Sequence, residues 1–234
     1  MKTIDLESVY REKVLNIWKK YKDLDVMNVP DCDYRKSPLL PKTINKEAIL
    51  FIGINPAFSK RRKDVVNNIE IEFYPILSEE IKDITYFEKI KDIAKYCNNS
   101  AWTHLDLFFI RETNQELIEK LSYENVDFLQ AQLDISFDII NEAAPKVIVV
   151  SNSLASEFFG KRKKKHLSLE KIWLGFNLDF DKDFDKEIGT YTIQISGKNV
   201  PIIFSGMLSG QRALDIGSFE RLKWQIKMIL DSQN

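Results

Sequence analysis

The chain is poor in the residues that build the commoner metal and cofactor sites. Its two cysteines, Cys32 and Cys97, stand far apart with no CxxC pair among 234 residues, so neither a disulfide framework nor a thiolate metal site is expected. A reducing compartment, the cytoplasm, fits this usage best. His104 and His166 are the only histidines, and neither has a cysteine at ligand spacing, which argues against a catalytic zinc. Neither G-x-G-x-x-G nor G-x-x-x-x-G-K-[ST] occurs, which removes the dinucleotide and P-loop phosphate cradles. The G-x-S-x-G elbow of the α/β-hydrolases is missing too. No metal and no cofactor is therefore expected. Every uninterrupted apolar run falls short of the ~20 residues that span a bilayer. Met1 to Tyr10 carries Asp5 and Glu7 in place of a basic stretch ahead of an apolar one, so no secretory leader and no membrane partner is expected. A surplus of charge is also lacking: 34 Lys plus Arg against 35 Asp plus Glu leave a formal net charge of -1. Contact with nucleic acid must then come from a local patch.

What is present is enough apolar material, 44% of side chains, to bury a sizeable core in one domain over residues 1–234. A monomer is the default expectation. The first 47 residues read as a helix and a loop, and residues 48–230 as the core. From Leu6 to Tyr21, Val9, Val14, Leu15, Ile17, Trp18 and Tyr21 recur at helical spacing. The stretch Asp25 to Lys42, with Pro30, Pro38 and Pro41, reads as an ordered loop. Ala48 to Gly53, Pro145 to Val150 and Val200 to Phe204 are short continuous apolar runs, the pattern of strands buried on both faces. His104 to Ile110 reads as a further strand, whose interior Asp106 needs a reason. Helical patterns over Ile84–Tyr96, Val126–Ala143 and Ser218–Leu230 separate these runs, with Ser218 or Asp215 able to cap the last. Thr190 to Ile195, closed by a turn at Gly197-Lys198-Asn199, reads as a hairpin edge. The alternation predicts a three-layer α/β/α fold with a central, mostly parallel sheet and a ligand crevice beyond the carboxyl ends of the strands. Gly53–Phe58, Asp106–Asn114, Ser151–Ser153 and Ser205–Arg212 should converge there, which makes Asn152 a candidate binding residue.

Asn55 and Pro56 directly after a buried strand place an amide at the crevice rim, where it can orient water or bind a heterocycle edge. Proline fixes its own φ and stiffens the turn. Phe58 offers a face for stacking on a planar ligand. The plainer alternative is that Gly53, Asn55 and Pro56 only end a strand and Phe58 belongs to the core.

Ile52-Gly53-Ile54-Asn55-Pro56-Ala57-Phe58-Ser59 resembles the first motif of the uracil-DNA glycosylase superfamily, above all its mismatch-specific, Gly-Ile-Asn-Pro branch. Leu105-Asp106-Leu107-Phe108-Phe109-Ile110-Arg111-Glu112-Thr113-Asn114 is similar to the superfamily's next strand, which in several branches reads Asn-Leu followed by Arg-x-Thr. The resemblance spans roughly residues 48 to 230. It implies a base-flipping glycosylase that hydrolyses the N-glycosidic bond of a damaged or deaminated base in DNA without a metal. Asn55 then matches the water-positioning residue and Phe58 the aromatic that stacks on the extruded base, with Gly53, Ile54, Pro56 and Ala57 lining the same turn. Extrusion costs a few kcal/mol, which pocket contacts must return.

Two departures stand out. Asp106 replaces the Asn that reads the base edge, and an ionised carboxylate only accepts hydrogen bonds. It would serve a guanine-like or cytosine-like donor edge, act as a general base if burial raises its pKa, or simply pair with Arg111 or a nearby backbone donor. The last motif, His-Pro-Ser or Asn-Pro-Ser in the family, is Ser205-Gly206-Met207-Leu208-Ser209-Gly210-Gln211-Arg212 here, with no His or Asn at its head. Ser205 and the Gly206 amide would face the departing base, Met207 and Leu208 would wedge into a duplex or cap the core, and Arg212 would contact phosphate or pair with Asp215. Basic clusters at Lys60–Lys63 and Lys161–His166 would supply the phosphate surface for a DNA partner. Rival readings are a non-catalytic member that binds a nucleobase, nucleotide or single strand, and a hydrolase of free nucleosides.

Overall fold

A computed structural model describes residues 2–58, 69–75, 85–160, 174–176 and 178–233. In chain order the strands are β1 (Thr3–Asp5), β2 (Leu39–Pro41), β3 (Thr43–Asn45), β4 (Ile49–Gly53), β5 (Glu72–Tyr74), β6 (Trp102–Asp106), β7 (Val147–Val150), β8 (Phe184–Asp185), β9 (Thr190–Ile195) and β10 (Lys198–Phe204). The α-helices are α1 (Leu6–Lys20), α2 (Thr85–Tyr96), α3 (Gln115–Glu124), α4 (Val126–Ala143), α5 (Ser153–Phe158) and α6 (Ile216–Ser232).

β4 lies inside a six-stranded sheet because it offers no polar side chain to solvent. Leu50 and Ile52 pack into the cluster on one face, Ile49 and Phe51 into the cluster on the other, and all four are fully buried. β7 splits the same way, Ile148 and Val150 against Val147 and Val149. The first face is covered by α1, α3, α4 and α5, and the second by α2 and α6, through Phe87, Ile90, Ile93, Phe219, Leu222, Ile226 and Ile229. The result is the three-layer α/β/α arrangement with a mostly parallel sheet.

The strand order is β6-β4-β7-β10-β9-β8. β6, β4, β7 and β10 run parallel, and β9 and β8 turn back at the edge. The chain leaves β4 for its neighbour on one side and later crosses to the other side for β7, so the order reverses at β4. Ligand crevices of open α/β sheets lie at such a reversal, outside the carboxyl ends of the strands. Gly53, Asp106, Ser151 and Ser205 mark those ends.

Some boundaries differ from the sequence expectation, each for a physical reason. β6 begins at Trp102 and stops at Asp106 because its partner β4 stops at Gly53; only Leu107 N to Gly53 O (3.1 Å) and Phe108 N to Ile54 O (2.9 Å) continue the ladder. The edge hairpin turns on two residues, Ser196 (φ 49°) and Gly197 (φ 75°), with Lys198 already paired to Ile195. Positive φ at both central positions matches the right-handed twist of the flanking strands. Helix α6 starts at Ile216, and Asp215 rather than Ser218 is its cap, accepting from Ser218 N at 2.9 Å. The proline-bearing stretch ahead of the core holds two short 3-10 turns and β2, not a bare loop. Its anchor is Arg35, 9% exposed, whose Nε donates to Glu112 Oε2 at 2.9 Å and whose Nη1 donates to Val26 O at 3.1 Å. Among the described residues no helix is long and apolar enough to cross a membrane.

Candidate functional site

Gly53 ends β4 opposite Asp106 in the parallel register. A Cβ at position 53 would lie 2.0 Å from Asp106 Oδ1 and 3.2 Å from His104 Nε2, so the missing side chain makes the space that the carboxyl group fills. Asp106 is 9% exposed, and its side chain keeps 12% of its surface in contact with solvent. Arg111 does not neutralise it: that guanidinium is buried and pairs with Glu72 on β5. The plain ion-pair account of Asp106 is thereby set aside. Among the described residues no cation lies beside it, and burial pushes its pKa up to about 7.

Two-residue spacing along β6 puts His104 on the same face as Asp106, with Nε2 3.7 Å from Oδ1, too long for a hydrogen bond. Its Nδ1 lies 3.1 Å from the Tyr74 hydroxyl. Tyr86 and Phe87 meet the imidazole edge-on, with centroids 5.3 Å and 5.5 Å away. This apolar, aromatic enclosure desolvates the ring and lowers its pKa to about 3, so His104 is a neutral imidazole at physiological pH. Burial, with Asp106 nearby, raises the Tyr74 phenol well above its ordinary value and keeps it protonated. The Tyr86 phenol is raised by burial as well, and its oxygen lies 2.8 Å from Ser151 Oγ, which reaches Ile52 O at 3.2 Å. Tyr74, Tyr86, His104, Asp106 and Ser151 thus enclose the carboxyl ends of β4, β6 and β7.

Asn55 braces the neighbouring turn. Its amide nitrogen donates to Glu112 O at 2.6 Å, Pro56 O at 3.1 Å and Ile110 O at 3.3 Å. Three carbonyl acceptors fix the orientation of the amide and commit its hydrogens, which leaves Oδ1 as its acceptor for a further group. Phe58 stacks on Tyr34 with centroids 3.6 Å apart and planes 9° from parallel, so one of its faces is already covered. Its backbone is held by Thr113, whose Oγ1 donates to Phe58 O at 2.9 Å. Ile54 and Pro56 are buried, Ile54 in the main core, and Ala57 is exposed.

The remaining expected residues have other partners. Asn152 is a helix cap: Oδ1 accepts from Leu154 N at 2.9 Å and Ala155 N at 3.1 Å. Ser205 Oγ donates to Gly206 O at 3.0 Å, so its hydroxyl proton is spent locally. Gly206 packs against Leu214, whose Cδ2 would lie 2.9 Å from an added Cβ. Leu208, 2% exposed, caps the core beside α6 instead of wedging outward, and Met207 is half-buried and bridged to Ala213. Arg212 is exposed and, among the described residues, makes no ion pair, since Asp215 bonds Ser218 instead. Both basic clusters, and Ser59, lie outside the described residues.

The sequence assigns no site role to His104, Tyr74 or Tyr86, and brings Ser151 to the crevice only as part of the strand-end segment Ser151–Ser153. The period-2 spacing of His104 and Asp106 was the available signal; it places an imidazole and a carboxyl on one face wherever the strand forms. Tyr74 and Tyr86 carried no local signal, because each reaches the site from a separate element. Among the described residues no group of three or more His, Cys, Asp or Glu side chains is disposed to hold a metal ion. The chain matches no protein-family model, and a search of curated proteins finds no similar sequence.

Proposed function

We propose that the chain hydrolyses the N-glycosidic bond of a damaged or deaminated base in DNA, at the carboxyl ends of β4 and β6. The observation that carries this reading is Asp106: a carboxyl group at a strand end, seated over a glycine, without a cation beside it among the described residues and with its pKa pushed up to about 7. A base of that strength suits proton abstraction near neutral pH. Asn55, with its hydrogens committed to three carbonyls, keeps Oδ1 as the acceptor that would hold a water in the proposed reaction. In the proposed step that water adds to C1′ of the sugar and its proton passes to Asp106. The C1′–N bond breaks and its electron pair leaves with the base. The likeness of Gly53-Ile54-Asn55-Pro56 to the first glycosylase motif supports the same chemistry.

One observation favours a second reading, in which the crevice binds a nucleobase, nucleotide or single strand without cleaving it. Ser205 donates to its own neighbour's carbonyl, so the departing base would meet no strong donor from that loop. Duplex and single-stranded oligonucleotides carrying uracil, hypoxanthine, xanthine or alkylated bases separate the two. Abasic sites formed by the wild type and lost in Asn55→Ala establish the hydrolase; salt-sensitive binding with no abasic sites establishes the binding protein. Neither cleavage nor binding of any member rejects both.

A further inference from the structure

The reading of Asp106 as the group that takes the proton leaves His104 and Tyr74 without a part. His104 is buried and Tyr74 half-buried, and both stand beside Asp106 in an enclosure whose other polar groups, the Tyr86 and Ser151 hydroxyls, bond each other. Three side chains follow one another across the sheet end: Tyr74 Oη lies 3.1 Å from His104 Nδ1, and His104 Nε2 lies 3.7 Å from Asp106 Oδ1. A neutral imidazole carries one N–H, and the partner of one nitrogen decides which nitrogen holds it. Tyr74, kept as a phenol, can donate to Nδ1, which leaves the N–H on Nε2, facing the carboxyl. The opposite tautomer would turn a lone pair toward an ionised Asp106.

The geometry points to Tyr74 and His104 as a positioning pair for Asp106: the phenol fixes the Nε2–H tautomer, and the imidazole N–H steadies the carboxylate once its proton is lost. This rests on the proposed role of Asp106 but adds residues that the glycosylase resemblance does not assign. Among the described residues the groups around Asp106 are few. β6 brings His104, β5 brings Tyr74, α2 brings Tyr86, β7 leads into Ser151, and β4 brings only Gly53. Arg111 is taken up by Glu72. Among the described residues the imidazole N–H is therefore the donor nearest the carboxylate, and from 3.7 Å it must approach to form a full hydrogen bond. Phe87 and Tyr86, packed edge-on against the ring, hold it in the plane that this approach requires.

The pair is tested without any substrate. Side-chain carboxyl carbon signals of 13C-labelled aspartate are followed against pH, with the Asp106 signal assigned by its loss in Asp106→Asn. Removing the donor in His104→Leu, or the tautomer lock in Tyr74→Phe, is expected to raise the Asp106 midpoint by about one pH unit, tenfold in proton affinity. His104→Gln, which keeps an N–H near the position of Nε2, is expected to restore most of the shift. Should His104→Leu fail to fold, Tyr74→Phe and His104→Gln decide the matter. Wild-type midpoints in the folded Tyr74→Phe variant, or equal midpoints for Gln and Leu at position 104, overturn the pair. Because the readout is a titration, an inactive protein with a shifted midpoint would refute the hydrolase and leave the positioning pair standing.

Discussion

Replacing Asp106 by Asn should stabilise the protein more at pH 8 than at pH 5. The folded state holds the Asp106 proton up to about pH 7, whereas the unfolded chain releases it near 3.8. Between those values the folded state binds more protons than the unfolded one, so the contribution is full below the unfolded value and is lost as pH rises through about 7. At about 1.4 kcal/mol per unit, this group alone lowers stability by roughly 3 kcal/mol between pH 5 and pH 8. His104 acts in the opposite sense, because its folded value of about 3 lies below the ordinary 6.5 and acid favours its unfolded, protonated form. Subtracting the variant's curve from the wild type's removes that contribution to first order, since His104 is present in both. Urea unfolding at half-unit steps from pH 5 to pH 8 measures the difference, provided the denaturant slopes agree. Parallel curves for the two proteins would refute the reasoning, because Asp106 would then titrate in the folded state as it does in the unfolded chain.

Gly53→Ala drives a methyl group to 2.0 Å from Asp106 Oδ1, so the carboxyl must swing away; a loss of about 1–3 kcal/mol by urea unfolding is expected, together with a displaced Asp106 carboxyl signal. Arg35→Ala leaves Glu112 as a buried carboxylate without its cation and should cost about 3–5 kcal/mol, read in the same way. Asn55→Ala strands the carbonyls of Ile110 and Glu112 and should cost about 1–3 kcal/mol while abolishing cleavage. Asn152→Ala removes the cap of α5 and is expected to cost about 1 kcal/mol in stability with cleavage unchanged.

The central sheet could be read in the sequence because its strands have to be apolar on both faces, and runs such as Ile49–Ile52 and Val147–Val150 have no other use in a chain of this charge. Helix α4 was legible to the residue, Val126 to Ala143, because its buried positions recur at helical spacing. α3 was not foreseen: its apolar residues are few, and its clearest mark is the cap Asn114, whose Oδ1 accepts from Glu116 N at 3.0 Å. The short pairings of β1 with β3 and β2 with β5 were likewise invisible, since three-residue strands carry no periodicity. At the site, Asp106 announced itself as a carboxyl inside an apolar run, but its companions did not. Tyr74 and Tyr86 meet at β6 only after distant segments pack, and a local pattern holds no record of that. Asn55 was legible as a strand-end amide, while its bracing of Ile110 and Glu112 depends on where the next strand stops.

A nucleobase that binds the protein is expected to meet it at the carboxyl ends of β4, β6 and β7. Amide resonances of the 15N-labelled chain, followed while free uracil, hypoxanthine or xanthine and then single-stranded oligonucleotides carrying them are added, locate that contact directly. Shifts at Gly53 to Ala57, His104 to Phe108, Tyr74, Tyr86 and Ser151 are the expected result. Silence throughout, or shifts confined to the cavity of about 300 Å³ at the opposite end of the sheet, lined by Glu47, Asn98, Lys146 and Lys227, would contradict it.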